Sequence, residues 1–138
     1  MPDEEPFRDM TPYERAILDR LLSVDFDGAD AAHEQAVNAR VRSVDDDGCF
    51  DFSATEGADI TSPWFILSEG AGPEDEEGLP VMLMLFQRDG RLGGVEFVRF
   101  GGNPGLYPEP HAWTVAAYVG TPTVGTRVWG AKGWEDAP

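Results

Sequence analysis

The hydrophobic pattern of the 138-residue chain changes its period once, near Arg40. Before that point apolar side chains recur every three or four residues. After it they alternate or run together. A helical stripe cannot serve as a strand face, nor the reverse. One change of period therefore predicts an N-terminal helical part followed by a β part, an α+β chain rather than an alternating one.

Thr11-Pro12-Tyr13-Glu14 carries the marks of a helix start. Thr11 can accept a free N–H, Pro12 suits the first helical position, and Glu14 completes a capping box. Tyr13, Ile17, Leu18, Leu21 and Leu22 then share one stripe, with Asp19 and Arg20 off it. A helix is expected from about Pro12 to Ser23, its apolar face on a sheet. A second is expected from about Ala29 to Ala39, where Ala29, Ala32, Ala36 and Ala39 allow close packing. Gly28 lies between them and is expected to end the first helix at positive φ, giving a helical hairpin.

Val41 to Val44, then Asp45-Asp46-Asp47-Gly48, then Cys49 to Ala54 reads as strand, turn, strand. Phe50 and Phe52 face one side, Asp51 and Ser53 the other. Trp64 to Leu67 is a third strand, and residues 70–78 form a charged loop. Val81 to Phe86 lacks alternation, as expected of a strand covered on both faces. Arg88 to Arg91 turns the chain and Val95 to Phe100 returns. Residues 101–138 hold seven Gly and five Pro, so they are expected to be mostly turn and loop. Trp113, Tyr118, Trp129 and Trp134 would anchor that segment to the core, with short strands near Val115 to Val119 and Arg127 to Trp129. The expected whole is a single α+β domain spanning residues 1–138. A helical hairpin packs on an antiparallel meander of four to six strands, with a flexible start at residues 1–10.

The chain has 26 Asp and Glu against 10 Lys and Arg, a formal net charge of −16. All of the imbalance lies in residues 1–80, which hold 21 acidic and 5 basic side chains. Aromatic residues make up 11% of the chain, too many for a disordered acidic tail. The negative field disfavours nucleic acid and anionic lipid and favours a basic protein partner. The longest apolar run, Val81 to Phe86, is far short of a membrane span. The acidic start Met1-Pro2-Asp3-Glu4-Glu5 has no signal-peptide core, and a cytoplasmic location is expected.

Ser23 to Gly28, followed by Glu34, partly matches a calcium-binding loop through Asp25, Asp27 and Glu34. Ser23 stands where a carboxylate is expected and Asp30 where an apolar residue belongs. The plainer reading is a helix end at Gly28 and a helix cap at Asp27, with the cation question left open. Asp45, Asp46 and Asp47, with Asp51, could gather on a hard cation, but an Asp/Gly turn needs none. A single cysteine excludes an internal disulfide. Cys49, His33 and His111 are the only thiol and imidazoles, with no group identified to orient a base, so Cys49 reads as a small apolar residue. Gly101 to Gly105 lacks the Lys and Ser/Thr of a phosphate loop. No catalytic residue, metal or cofactor is therefore assigned.

Phe26-Asp27-Gly28-Ala29-Asp30 with Gln35, the hairpin Val44 to Phe52, and Leu83 to Leu92 leading to Val95-Glu96-Phe97 resemble a family of short, uncharacterised proteins from GC-rich Gram-positive bacteria. The resemblance covers about residues 11–105 and implies two helices followed by a meander. Several members of that group carry a Cys-rich stretch where this chain has Asp45 to Cys49, of which only Cys49 remains. No catalytic residue carries over. Small acidic proteins of similar layout include immunity proteins of bacterial toxin systems, an analogy of form.

The function expected is therefore a non-enzymatic, immunity-type inhibitor of a basic toxin or nuclease. Asp45, Asp46 and Asp47 in the turn and Glu74, Asp75, Glu76 and Glu77 in the loop would steer and pair with the partner. The alternative is a small-molecule-binding or accessory domain with a pocket lined by Trp64, Trp113 and Trp129 between sheet and C-terminal segment. A plainer alternative is a homodimer formed through the open sheet face.

Overall fold

A computed structural model describes residues 6–45, 48–62, 64–72, 81–99, 113–117, 127–130 and 133–136. Helix α1 is Pro12–Leu21 and begins as its sequence predicts. The Thr11 hydroxyl accepts the Glu14 N–H at 3.1 Å, and the Glu14 carboxylate accepts the Thr11 N–H at 2.8 Å. Ile17, Leu18 and Leu21 form its buried stripe. The helix does not end at Gly28. Leu22 closes it in the right-handed conformation, its N–H on the Leu18 carbonyl at 2.9 Å.

Gly28 instead caps the start of α2, Ala29–Ala36, at φ 86°, and Asp27 does not cap it. The reason for glycine there is tertiary. A Cβ on Gly28 would fall 2.5 Å from Ile60 Cγ2, because the segment after the first hairpin crosses against the inter-helix turn. His33 ties the helices together by donating from Nε2 to the Leu22 carbonyl at 2.7 Å. Burial holds its imidazole below the ordinary histidine value, against the opposing pull of that bond and of Asp19 and Asp30.

The strands are β1 (Arg40–Ser43), β2 (Phe50–Ser53), β3 (Ile66–Ala71), β4 (Val81–Arg88), β5 (Arg91–Arg99) and β6 (Thr114–Ala117). They form one antiparallel sheet in the order β1-β2-β5-β4-β3-β6. Two further strands, β7 (Arg127–Gly130) and β8 (Gly133–Asp136), pair separately, and β8 has no counterpart in the sequence reading. Only β3-β4-β5 is a meander; the β1-β2 hairpin docks on β5 instead of β3. The 12 residues between Ser53 and Ile66 make this possible. Extended, they reach up to ~40 Å, ample to pass two strands spaced ~4.8 Å apart.

That crossing segment is held by two glutamines. Gln35, 1% exposed, donates from Nε2 to the carbonyls of Ala58 (2.7 Å) and Gly90 (2.9 Å) and accepts the Leu92 N–H at 2.8 Å. Gln87 donates to the carbonyls of Ser62 and Trp64 and accepts the Gly90 N–H at 3.0 Å. The tight turn Asp89-Gly90, with φ of 51° and 84°, supplies the groups both glutamines use. Gln35, Gln87, Gly90 and Leu92 thus meet in a scaffold knot. At the other edge, Arg8 pairs its backbone with Val41 at 2.7 and 2.8 Å, and its guanidinium grips Glu14 at 2.6 and 2.9 Å. Burial alone would raise the Glu14 carboxyl, but Arg8 and the Thr11 N–H hold it below its ordinary value.

The helices lie on one sheet face, α1 against β3, β4 and β6 and α2 against β5. Phe50, Phe52, Leu83, Leu85, Val95 and Phe97 meet Ile17, Leu18 and Leu21 in the core beneath them. Trp113 is fully enclosed there, edge-on to Phe97 at 6.1 Å. β4 is not covered equally on its two faces, contrary to its unbroken apolar run. Val81, Leu83 and Leu85 are buried, whereas Met82, Met84 and Phe86 are half-buried on the face away from the helices.

Candidate functional site

The outer sheet face is shaped by Gly93 and Gly94, two glycines inside β5. A Cβ on Gly94 would stand 2.7 Å from the Phe50 carbonyl and 2.7 Å from Phe86 Cζ; one on Gly93 would stand 2.8 Å from the same ring. Their missing side chains let Phe86 lie down across the sheet. Phe65, from the bend before β3, then stacks on it with centroids 5.1 Å apart and remains 61% exposed. Arg88 lies over Phe86 at 5.2 Å and reaches Asp51 at 3.9 Å. Asp51 is also 3.8 Å from Arg42, which lies 4.5 Å over the Phe7 ring. Phe7, Arg42, Asp51, Arg88, Phe86 and Phe65 thus form a row in which two arginines flank one aspartate and aromatic rings close both ends.

Beside this row is a hollow of about 190 Å³ whose lining includes Val44, Asp45, Cys49, Asp51, Phe86 and Glu96. Val44 is 56% exposed at its edge. Cys49 does not make it a catalytic centre. Its thiol donates to the Phe97 carbonyl at 3.7 Å and its sulfur accepts the Phe97 N–H at 3.3 Å. Burial, helped by the Asp45 and Glu96 charges, pushes the thiol up to about 11 and keeps it protonated, hence a poor nucleophile. The imidazole of His33 is engaged with Leu22 in the helical hairpin.

Of the acidic residues expected to carry function, Asp45 lines the hollow and accepts the Cys49 N–H at 3.3 Å, the role of a turn aspartate. Asp46, Asp47, Glu74, Asp75, Glu76 and Glu77 lie outside the described residues, as does His111. Among the tryptophans expected to line a pocket, Trp113 has no surface open to a ligand and Trp64 is 44% exposed. Trp129 lies on β7, in the separate pair. Asp25, Asp27 and Glu34 do not converge: among the described residues no three His, Cys, Asp or Glu side chains are placed to hold a metal. No helix among those residues is long and apolar enough to cross a membrane.

Sequence reasoning missed Phe65, Phe86, Arg42, Arg88 and Glu96. The signal was the Gly-Gly pair inside a strand pattern, which marks a close approach from across the sheet. The fold and site define an α+β domain with an open, mixed aromatic and charged sheet face. Compared with family models, curated proteins and solved structures, the chain matches none.

The cations have a consistent disposition. All seven arginines whose side chains are described are engaged within the chain. Arg8 binds Glu14, Arg40 lies 3.7 Å from Asp9, Arg42 and Arg88 flank Asp51, and Arg91 lies 3.6 Å from Asp59. Arg15 donates to the Ala36 carbonyl at 2.8 Å, and Arg20 donates twice to that of Trp113, at 2.9 and 2.7 Å. Carboxylates such as Asp19, Asp27, Glu34 and Glu96 meet none of these guanidinium groups at ion-pair distance.

Proposed function

We propose that the chain is a non-enzymatic acidic binding protein that engages a basic partner, as an immunity-type inhibitor covers the phosphate-binding surface of a toxin or nuclease. The observation that carries this reading is the disposition of the arginines. The described arginines are turned onto the chain's own carbonyls and carboxylates, which leaves exposed carboxylates such as Asp19, Asp27, Glu34 and Glu96 without an arginine at ion-pair distance in a chain of net charge −16. A surface built to hold phosphates attracts such a field, which speeds encounter and fixes orientation. The protonated Cys49 thiol and the engaged His33 supply no nucleophile or base, which favours binding over catalysis.

The test is calorimetry with a basic toxin or nuclease, sought first among the products of adjoining genes. Affinity should fall about tenfold or more between ~50 and ~300 mM salt. Reversal of Asp45–Asp47 or of Glu74–Glu77 to lysine should weaken it at low salt. Binding indifferent to both salt and charge reversal would overturn the reading.

A further inference from the structure

On its outer sheet face the chain twice holds one of its own guanidinium groups between an aromatic ring and Asp51. Arg42 is 4.5 Å from the Phe7 centroid and 3.8 Å from Asp51; Arg88 is 5.2 Å from the Phe86 centroid and 3.9 Å from Asp51. Such a place suits arginine in particular, because a planar cation stacks on a ring while its edge N–H groups point at a carboxylate. The same two ingredients recur next to Phe86 with no described arginine of this chain serving them. One is the exposed ring of Phe65, stacked on Phe86; the other is the exposed carboxylate of Glu96 at the neighbouring hollow, which Arg88 also lines while pairing with Asp51 and not with Glu96. At the edge of the hollow the exposed side chain of Val44 offers an apolar surface for an aliphatic stem.

We infer that this third place is where the partner docks, and that its occupant is an arginine side chain of a basic protein. The inference rests on the acidic-partner reading above and adds where the partner lands and which cation it presents. A second copy of this chain is a poor occupant, since each copy brings a charge of −16. Lysine is a poorer fit than arginine, because its ammonium has no planar face to lay on Phe65.

The experiment titrates the whole protein with hexa-arginine and, separately, hexa-lysine peptides at low salt, following backbone amide shifts by NMR. Hexa-arginine should bind more tightly, with its largest shifts at Val44, Phe65, Phe86 and Glu96. Phe65→Ala should weaken hexa-arginine about 2- to 5-fold while leaving hexa-lysine nearly unchanged. Glu96→Gln should weaken hexa-arginine by a similar factor, about 2- to 5-fold. Both residues are exposed, and circular dichroism would verify that the variants fold. Equal affinity for both peptides, with shifts spread over Asp19, Asp30 and Glu34, would overturn the docking point and leave the acidic-partner reading standing. Failure of both peptides to bind at low salt would overturn both readings.

Discussion

Replacing Gln35 with alanine should remove much of the stability of this domain, although Gln35 touches neither the candidate site nor the centre of the core. Three bonds are lost, at 2.7, 2.9 and 2.8 Å. Their partners fare differently. The Gly90 carbonyl keeps the Ile60 N–H at 2.8 Å, and exposed Ala58 can turn to water. The Leu92 N–H is buried and has no such recourse. One buried orphan at ~1–3 kcal/mol and two further bonds at ~1 kcal/mol each give a loss of about 3–5 kcal/mol. Against a typical domain stability of ~5–15 kcal/mol this is severe. Urea unfolding followed by tryptophan fluorescence should show a lower midpoint at unchanged slope, and the Leu92 amide should exchange faster.

Gln35→Glu sharpens the test. Its carboxylate still accepts the Leu92 N–H but faces two carbonyls without a donor. Folding then favours the protonated acid, so its folded pKa rises above the ~4.3 of an unfolded chain. The folded state binds more protons than the unfolded one, and stability falls as pH rises through that window. Relative to the parent protein, the variant should lose less at pH ~5 than at pH ~8. A loss below about 1 kcal/mol for Gln35→Ala, or a pH-independent penalty for Gln35→Glu, would refute the reasoning.

Gly94→Ala should cost about 1–3 kcal/mol in urea unfolding, since its Cβ would meet the Phe50 carbonyl at 2.7 Å and backbone cannot yield as a side chain can. A neutral result would mean that Phe86 does not depend on this space. His33 has a folded pKa lowered by burial, so its contribution is full above ~6.5 and is lost as pH falls below that value. Lowering the pH from ~7.5 to ~5.5 should cost the parent protein more than the His33→Gln variant, read as the urea midpoint. Cys49, with its thiol at about 11, should react with a disulfide reagent at pH 8 about two orders of magnitude more slowly than an ordinary thiol. Native-state labelling at the free-thiol rate would contradict its burial.

Much of the local structure was legible in the sequence because its signals are local. The Thr11/Glu14 box acts over three residues, the Phe50/Phe52 alternation over two, and the Asp89-Gly90 turn within itself. The helix-to-strand change at Arg40, and with it the α+β class, followed from those short-range patterns alone. The candidate site was less legible. Asp45 was singled out by its charge, whereas Phe65, Phe86 and Glu96 look like ordinary strand residues until the sheet brings them together.

What only the tertiary structure decided is pairing across long separations. Any of these antiparallel strands could neighbour any other on alternation alone. Docking β2 on β5 required the crossing segment to be pinned by Gln35 to Gly90, 55 residues away, and by Gln87 to Ser62 and Trp64. Likewise the sequence by itself determined that carboxylates outnumber cations. Only the fold decided that the described arginines turn onto carbonyls and carboxylates of the chain. A guanidinium finds partners by proximity in space, and composition carries no distances.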